Sequence, residues 1–345
     1  MQTNQADVVK RYRRLTELVP AHWQTGATEA EDGTRIHYTR TGGVKPTLLL
    51  LHGIQAAGLM WLRTAQALES TYDVVMPDFR NHGQSSQIEA GLSIDTLVDD
   101  MITLLRTLGL ERPYIVGHSM GAEVGGRLAA SYPARAVVLV DPALRNFAAA
   151  MSMNPDAPPP WMQPIIAAMQ ALRTQPHMER MLTGLRLLPP GAPIWDEADY
   201  VSFVDALAQF NLATYRYAVN MGYLFEEPDV IARISCPMLL LTARPMMPGA
   251  DIEAGVAAFE QHWRDGRRVH FADSGHFIPF DQHDQFVAVL TRFLADEDDL
   301  FDYQLESDPR FLERVKRARA QFRAGRGIRL EDVKTELLGA EDDVS

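Results

Sequence analysis

The segment that most restricts the fold is Gly117–His118–Ser119–Met120–Gly121. It follows a short apolar run, Tyr114–Val116, and precedes a helix-forming stretch that begins at Ala122. A serine at a strand-to-helix turn is pressed into a strained backbone conformation that lifts its hydroxyl out of the sheet. Small residues at 117 and 121 let strand and helix approach closely. A chain with this turn needs a strand with a helix laid against it, and the surrounding sequence repeats that pairing.

Short apolar runs without alternation occur at Thr47–Leu51, Val74–Met76, Tyr114–Val116, Val137–Val140, Met238–Leu241 and Val269–Phe271. Such runs predict strands buried on both faces. Helix-length stretches lie between them, at Trp61–Glu69, Ile94–Leu108, Ala122–Ser131 and Ala254–Trp263. The alternation predicts an α/β fold with a mostly parallel central sheet covered on both sides. Two more polar strands, Trp23–Ala30 and Arg35–Thr41, flank a Glu31–Asp32–Gly33 turn and suit a sheet edge, which makes about eight strands. Residues 8–19 read as an amphipathic helix capped by Asp7 and stopped by Pro20.

The alternation stops after Asp141 and resumes near residue 231. The expected organisation is a core in two parts, 1–142 and 231–295, a helical cap at 143–230, and a charged helical extension at 296–345. The cap holds Phe147, Trp161, Trp195, Phe203 and seven of the 15 methionines. Those side chains suit either a small core of the cap itself or an adaptable apolar pocket beneath it. The extension carries 14 acids and 9 bases. It reads either as a solvated tail packed by one apolar stripe or as a partner-binding element, and so is a candidate contact in a homo-oligomer.

Composition removes several classes of function. Lys plus Arg is 33 against 45 for Asp plus Glu, a formal charge of −12, which argues against nucleic acid as the main partner. The lone Cys236 allows no intrachain disulfide and no cysteine-based metal centre. There is no long uncharged apolar segment and no secretory leader pattern at the start, so a cytoplasmic protein without membrane contact is expected. No dinucleotide fingerprint or HExxH metal motif is present, and no cofactor is expected.

Five pieces in order, LLLLHG at 48–53, PDFRNHG at 77–83, GHSMG at 117–121, LVDPA at 139–143 and SGHFIPF at 274–280, resemble the α/β-hydrolase superfamily over residues 22–295. The resemblance implies Ser119 as nucleophile and His276 as general base. It also implies the backbone N–H groups of Ile54 and Met120 as oxyanion donors, with a helical cap after the sixth strand. Gln55 is a candidate substrate contact, as are Phe147, Trp161, Trp195 and Phe203. His52 reads as structural, tying its loop to a neighbour near Asp78, and His82 likewise; no catalytic role is expected for His37, His118, His177, His262, His270 or His283.

The acid departs from the commoner family pattern. After the seventh strand, Ala243 stands where glycine is usual and Met246 where aspartate is usual. Asp141, at the end of the sixth strand, is the first choice and Asp251 the fallback; Asp273 lies too close to His276 along the chain. A serine at 119 excludes relatives that need a carboxylate nucleophile, such as epoxide hydrolases and haloalkane dehalogenases. What the resemblance implies is hydrolysis of a carboxylic ester or lactone of a mainly apolar small molecule through an acyl-enzyme. The alternatives are amide or carbon–carbon bond cleavage, acyl transfer, and a non-catalytic small-molecule-binding protein.

Overall fold

A computed structural model describes residues 5–89, 92–144, 162–188, 194–215, 223–245 and 252–307. Eight strands form one sheet: β1 (Gln24–Glu29), β2 (Arg35–Arg40), β3 (Thr47–Leu51), β4 (Asp73–Pro77), β5 (Tyr114–His118), β6 (Ala136–Val140), β7 (Met238–Ala243) and β8 (Gly266–Phe271). Their order is β1-β2-β4-β3-β5-β6-β7-β8. β1–β2 and β2–β4 pair antiparallel, and every other neighbouring pair is parallel. The polar strands β1 and β2 sit at one margin, as their composition predicts.

The apolar runs behave as a parallel sheet requires. Every residue of β4, β5, β6 and β7 is buried, because crossover helices cover both faces. On one face Leu49, Leu51, Val75, Ile115 and Val137 pack with Leu97, Met101, Leu104 and Leu105 of the helix Ile94–Thr107. Val124 and Leu128 of the helix Met120–Ser131 join the same cluster. Ser93 caps the first of these helices, its side chain accepting from the Thr96 N–H. β8 corrects the expectation of burial on both faces. It is an edge strand, and of its six residues only Phe271 is buried, since one side of an edge strand has no neighbour.

The helix expected over 8–19 is broken into Gln5–Val9 and Leu15–Leu18, and Asp7 lies inside the first piece rather than capping it. The intervening residues are taken up by tertiary contacts. The Tyr12 hydroxyl donates to the Trp195 carbonyl at 3.2 Å, and His177 Nε2 donates to the Tyr12 carbonyl at 2.7 Å. Arg13 grips Glu197 through its backbone N–H and two guanidinium nitrogens. Those bonds outweigh a marginal propensity in a short basic segment.

Between β6 and β7 the described residues form the helices Gln163–Leu172, His177–Gly184, Glu197–Gln209 and Pro228–Arg233. Residues 1–291 make one compact unit that includes this insertion, and 292–345 make another. Of the second, the described part is the last stretch of the helix His283–Ser307; the expectations for 308–345 lie outside the described residues. Among the described residues no helix is long and apolar enough to cross a membrane.

Glu123 ties the insertion to the sheet. It is 4% exposed, its carboxylate accepts the Leu224 N–H at 2.6 Å, and the Ala143 N–H also faces it. These two backbone groups belong to opposite ends of the insertion. Burial pushes the Glu123 carboxyl up to about 7, against the pull of the Leu224 N–H and Arg127. In the unfolded chain the group ionises near its ordinary 4.5. The folded state therefore holds the proton where the unfolded state has released it, and this stabilisation is lost as pH rises from about 4.5 to about 7. Glu123→Gln cannot titrate. Urea unfolding at pH 5 and pH 8 should show the variant gaining on the wild type by up to about 3 kcal/mol; an equal difference at both pH values would refute this ionisation.

Candidate active site

The G-x-S-x-G turn is folded as its residues predict. Ser119 has φ 53° and ψ −119°, a conformation that costs a non-glycine residue on the order of 1–3 kcal/mol. Its N–H is fixed to the Val140 carbonyl at 2.9 Å, which continues the β5–β6 ladder into the turn. A Cβ on Gly117 would lie 2.0 Å from the Gly121 carbonyl oxygen, and one on Gly121 would lie 2.3 Å from that of Leu51. Both obstacles are backbone and cannot turn aside. Gly121→Ala should cost about 2 kcal/mol or more in urea unfolding, with activity falling in parallel; a variant of wild-type stability would contradict this packing.

The other turn of the site, His52–Gly53–Ile54, lies at the end of β3. A Cβ on Gly53 would come within 3.2 Å of Ser119 Cβ, so this backbone runs directly beside the serine. His52 Nδ1 donates to the Gly53 carbonyl at 2.8 Å, and Nε2 accepts the Phe79 N–H at 2.9 Å. His52 is thus structural and bound to the neighbourhood of Asp78, as expected. Burial lowers it to about 4, outweighing the Gly53 bond and Asp78, so it stays neutral. Asp78 in turn accepts from the Gly58 and Gln84 N–H groups and from His37 Nδ1. Among the described residues neither the Ile54 N–H nor the Met120 N–H has a hydrogen-bond partner.

The imidazole of His276 enters from the loop after β8. Its Nδ1 donates to Asp141 Oδ2 at 2.6 Å. Asp141 directly follows β6, with φ 46° and its N–H bound to the Leu241 carbonyl. The other carboxylate oxygen, Oδ1, accepts the Ala243 N–H at 3.0 Å. The end of β7, where the family pattern more often places the acid nearby, here supplies a backbone donor to an acid on the adjacent strand. Both side chains are partly accessible, 18% for His276 and 14% for Asp141. Asp251, the fallback, lies outside the described residues, as does Met246. Ser119 Oγ and His276 Nε2 have no hydrogen-bond partner among the described residues; in unliganded sites that contact is often long.

Sequence reasoning gave His118 no role, yet the structure places it against His276. His118 Nε2 donates to the His276 carbonyl at 2.8 Å, and the rings lie 4.7 Å apart. Burial, reinforced by the nearby His276, holds it well below the ordinary histidine range. Phe277 was also missed. Its ring touches His118, His276, Trp195, Phe203 and Phe280. The one available signal was its place beside His276, the expected general base. Trp195 and Phe203 pack on each other and on Phe277, 3% and 6% exposed. Gln55, at φ 64°, donates through its amide to the Tyr215 hydroxyl of the insertion. Phe147 and Trp161 lie outside the described residues. A cavity of about 660 Å³ between the N-terminal segment and the insertion, walled by Leu15, Trp23, Leu59 and Met181 among others, contains none of these residues.

A family model described as "alpha/beta hydrolase fold" matches residues 46–282. The dihydrolipoyllysine-residue acetyltransferase component of the acetoin cleaving system of Cupriavidus necator is 26% identical over 76% of this chain and 67% of its own length. Fluoroacetate dehalogenase from a Burkholderia species is 41% identical over 27% of this chain and 32% of its own. The chain thus spans about a third of some curated relatives that it matches. Among solved structures, the enol-lactonase of Burkholderia xenovorans LB400 superposes with a TM-score of 0.58 at 23% identity, over 78% of this chain and 100% of that one. The sheet order and the family match over most of the chain together place it: this chain belongs to the α/β-hydrolase family.

Proposed function

We propose that this chain is a serine hydrolase that cleaves a carboxylic ester or lactone of a mainly apolar small molecule through an acyl-enzyme. The observation that carries the reading is the 2.6 Å contact between His276 and Asp141, in a chain whose Ser119 stands on a strained elbow. Ser119 Oγ attacks the carbonyl carbon while His276 Nε2 takes its proton. The oxyanion that forms is met by the N–H groups of Ile54 and Met120. His276 then protonates the leaving alkoxide, and afterwards draws a proton from the water that releases the acid. Asp141 fixes the Nδ1–H tautomer, so that Nε2 is free to accept.

Phe277, backed by Trp195 and Phe203, gives an apolar wall beside His276. Gln55 reaches from the oxyanion turn towards the insertion and contacts the substrate's polar end. The dehalogenation performed by the Burkholderia relative does not carry over, because that chemistry uses a carboxylate nucleophile and position 119 is serine.

The test is a fluorophosphonate probe followed by peptide mass spectrometry, run beside turnover of a matched phenyl ester, aryl lactone, anilide and carbamate. Labelling confined to Ser119, with ester or lactone turned over fastest, is expected. Faster anilide or carbamate turnover would keep the nucleophile and replace the substrate class. A folded protein that is neither labelled nor active would refute the enzyme.

A further inference from the structure

The loop that carries His276 is fastened at several points, among them the Ser274 carbonyl, which accepts the Arg244 N–H at 3.1 Å and its Nε–H at 3.3 Å. Asp141 holds the side chain and His118 the carbonyl. A further fastener, outside the chemistry already described, is Asp281, on the short helix Ile278–Asp281 that directly follows the loop. Its Oδ2 accepts the Gly275 N–H at 2.8 Å and the Ser274 hydroxyl at 3.3 Å. Its Oδ1 accepts the indole N–H of Trp195 at 2.8 Å. Trp195 belongs to the insertion between β6 and β7, whereas Gly275 immediately precedes His276. One carboxylate thus joins a buried side chain of the insertion to the backbone beside the base.

The surroundings make this link stiff. Trp195 is 3% exposed, with its ring 5.1 Å from Phe277 and 4.9 Å from Phe280. Its carbonyl is held by the Tyr12 hydroxyl. Charge-assisted hydrogen bonds are shorter and stronger than neutral ones. A buried indole N–H or amide N–H deprived of its acceptor has no water to replace it. If the insertion shifts, Trp195 withdraws from Oδ1 and the carboxylate that pins Gly275 is released on one side.

We infer that Asp281 is a positioning residue that couples the alignment of His276 to the seating of the helical insertion, through Trp195. The inference rests on the reading of His276 as general base. Asp281 touches neither substrate nor reacting atoms; it acts through the loop. Substrate that settles the insertion would at the same time settle the base.

The test compares wild type, Asp281→Asn, Trp195→Phe and the double variant in the full chain. One readout is the second-order rate of fluorophosphonate labelling of Ser119. A second is the kcat and KM of a phenyl ester. A third is the downfield proton NMR signal of the His276–Asp141 hydrogen bond, which needs no turnover. Asp281→Asn should slow labelling by about tenfold or more and lower kcat while KM changes little, because small errors in alignment are costly to catalysis. Trp195→Phe keeps an aromatic ring but loses the N–H together with part of the indole's volume, and should slow labelling about threefold to tenfold. The double variant should be no slower than Asp281→Asn, since coupled residues are not additive. In each slowed variant that remains folded at the assay temperature the downfield proton should broaden, even though the lost bonds lower the melting temperature.

Wild-type labelling in folded Asp281→Asn would overturn the positioning role. Wild-type labelling in Trp195→Phe, or multiplying effects in the double variant, would overturn the coupling. Should Asp281→Asn fail to fold, Trp195→Phe decides the coupling alone. If wild type is folded yet unlabelled, it is the hydrolase reading that fails. The NMR proton then still decides whether Asp281 and Trp195 hold the loop: an unchanged signal in both variants overturns the inference.

Discussion

Ser119→Ala should abolish turnover of any ester or lactone that the wild type cleaves, by a factor on the order of 10⁶ in kcat, the scale on which a triad serine acts. The fold should survive. Ser119 is half-buried and its Oγ bonds to no described residue, so no buried partner is left unsatisfied. Its N–H bond to the Val140 carbonyl is backbone and remains. Alanine also keeps the Cβ, so the strain at φ 53° is unchanged. Ser119→Gly separates the two properties of this position. It should be equally inactive but more stable than the alanine variant, because glycine adopts positive φ without penalty. Turnover and urea unfolding of the three proteins check both claims. Retained hydrolysis in clean Ser119→Ala would remove Ser119 as the nucleophile, and equal stability of the two variants would remove the strain.

The parts that were legible in the sequence are those fixed by short-range covalent logic. Uninterrupted runs such as Val137–Val140, alternating with helix-length stretches, predict strands covered on both faces, and the sheet buries β4 to β7 throughout. Gly117 and Gly121 sit where backbone meets backbone, and the strand-to-helix setting of their motif reveals that. What the sequence hid are contacts between distant segments. Residues 10–14 leave a helix because Glu197 and Trp195, far along the chain, capture Arg13 and Tyr12. His118 looked like a filler within the elbow, and only the loop after β8 brings the His276 carbonyl to it. β8 looked like a core strand from its Val269–Phe271 end, although its Arg267 and Arg268 already hinted at an edge.

Asp141→Asn puts the departure from the commoner acid position to the test, and the geometry fixes how the substitution acts. Oδ1 of Asp141 accepts the Ala243 N–H at 3.0 Å and Oδ2 accepts His276 Nδ1 at 2.6 Å. An asparagine has one acceptor, and the immobile backbone donor of Ala243 claims it. The amide NH₂ must then face His276 Nδ1, which is satisfied only if Nδ1 carries no proton. The imidazole proton is driven to Nε2, and a protonated Nε2 cannot take the proton of Ser119. The expected result is a fall in kcat of about 10⁴, the cost of the wrong tautomer in a serine–histidine–aspartate site. Stability should hold or rise slightly, because asparagine tolerates the left-handed backbone that Asp141 adopts at φ 46°. That pairing of a large kinetic loss with an unmoved melting curve distinguishes a misdirected base from a damaged fold. A loss below about tenfold in folded protein would show that His276 is oriented by another carboxylate, and Asp251 would take the place of Asp141.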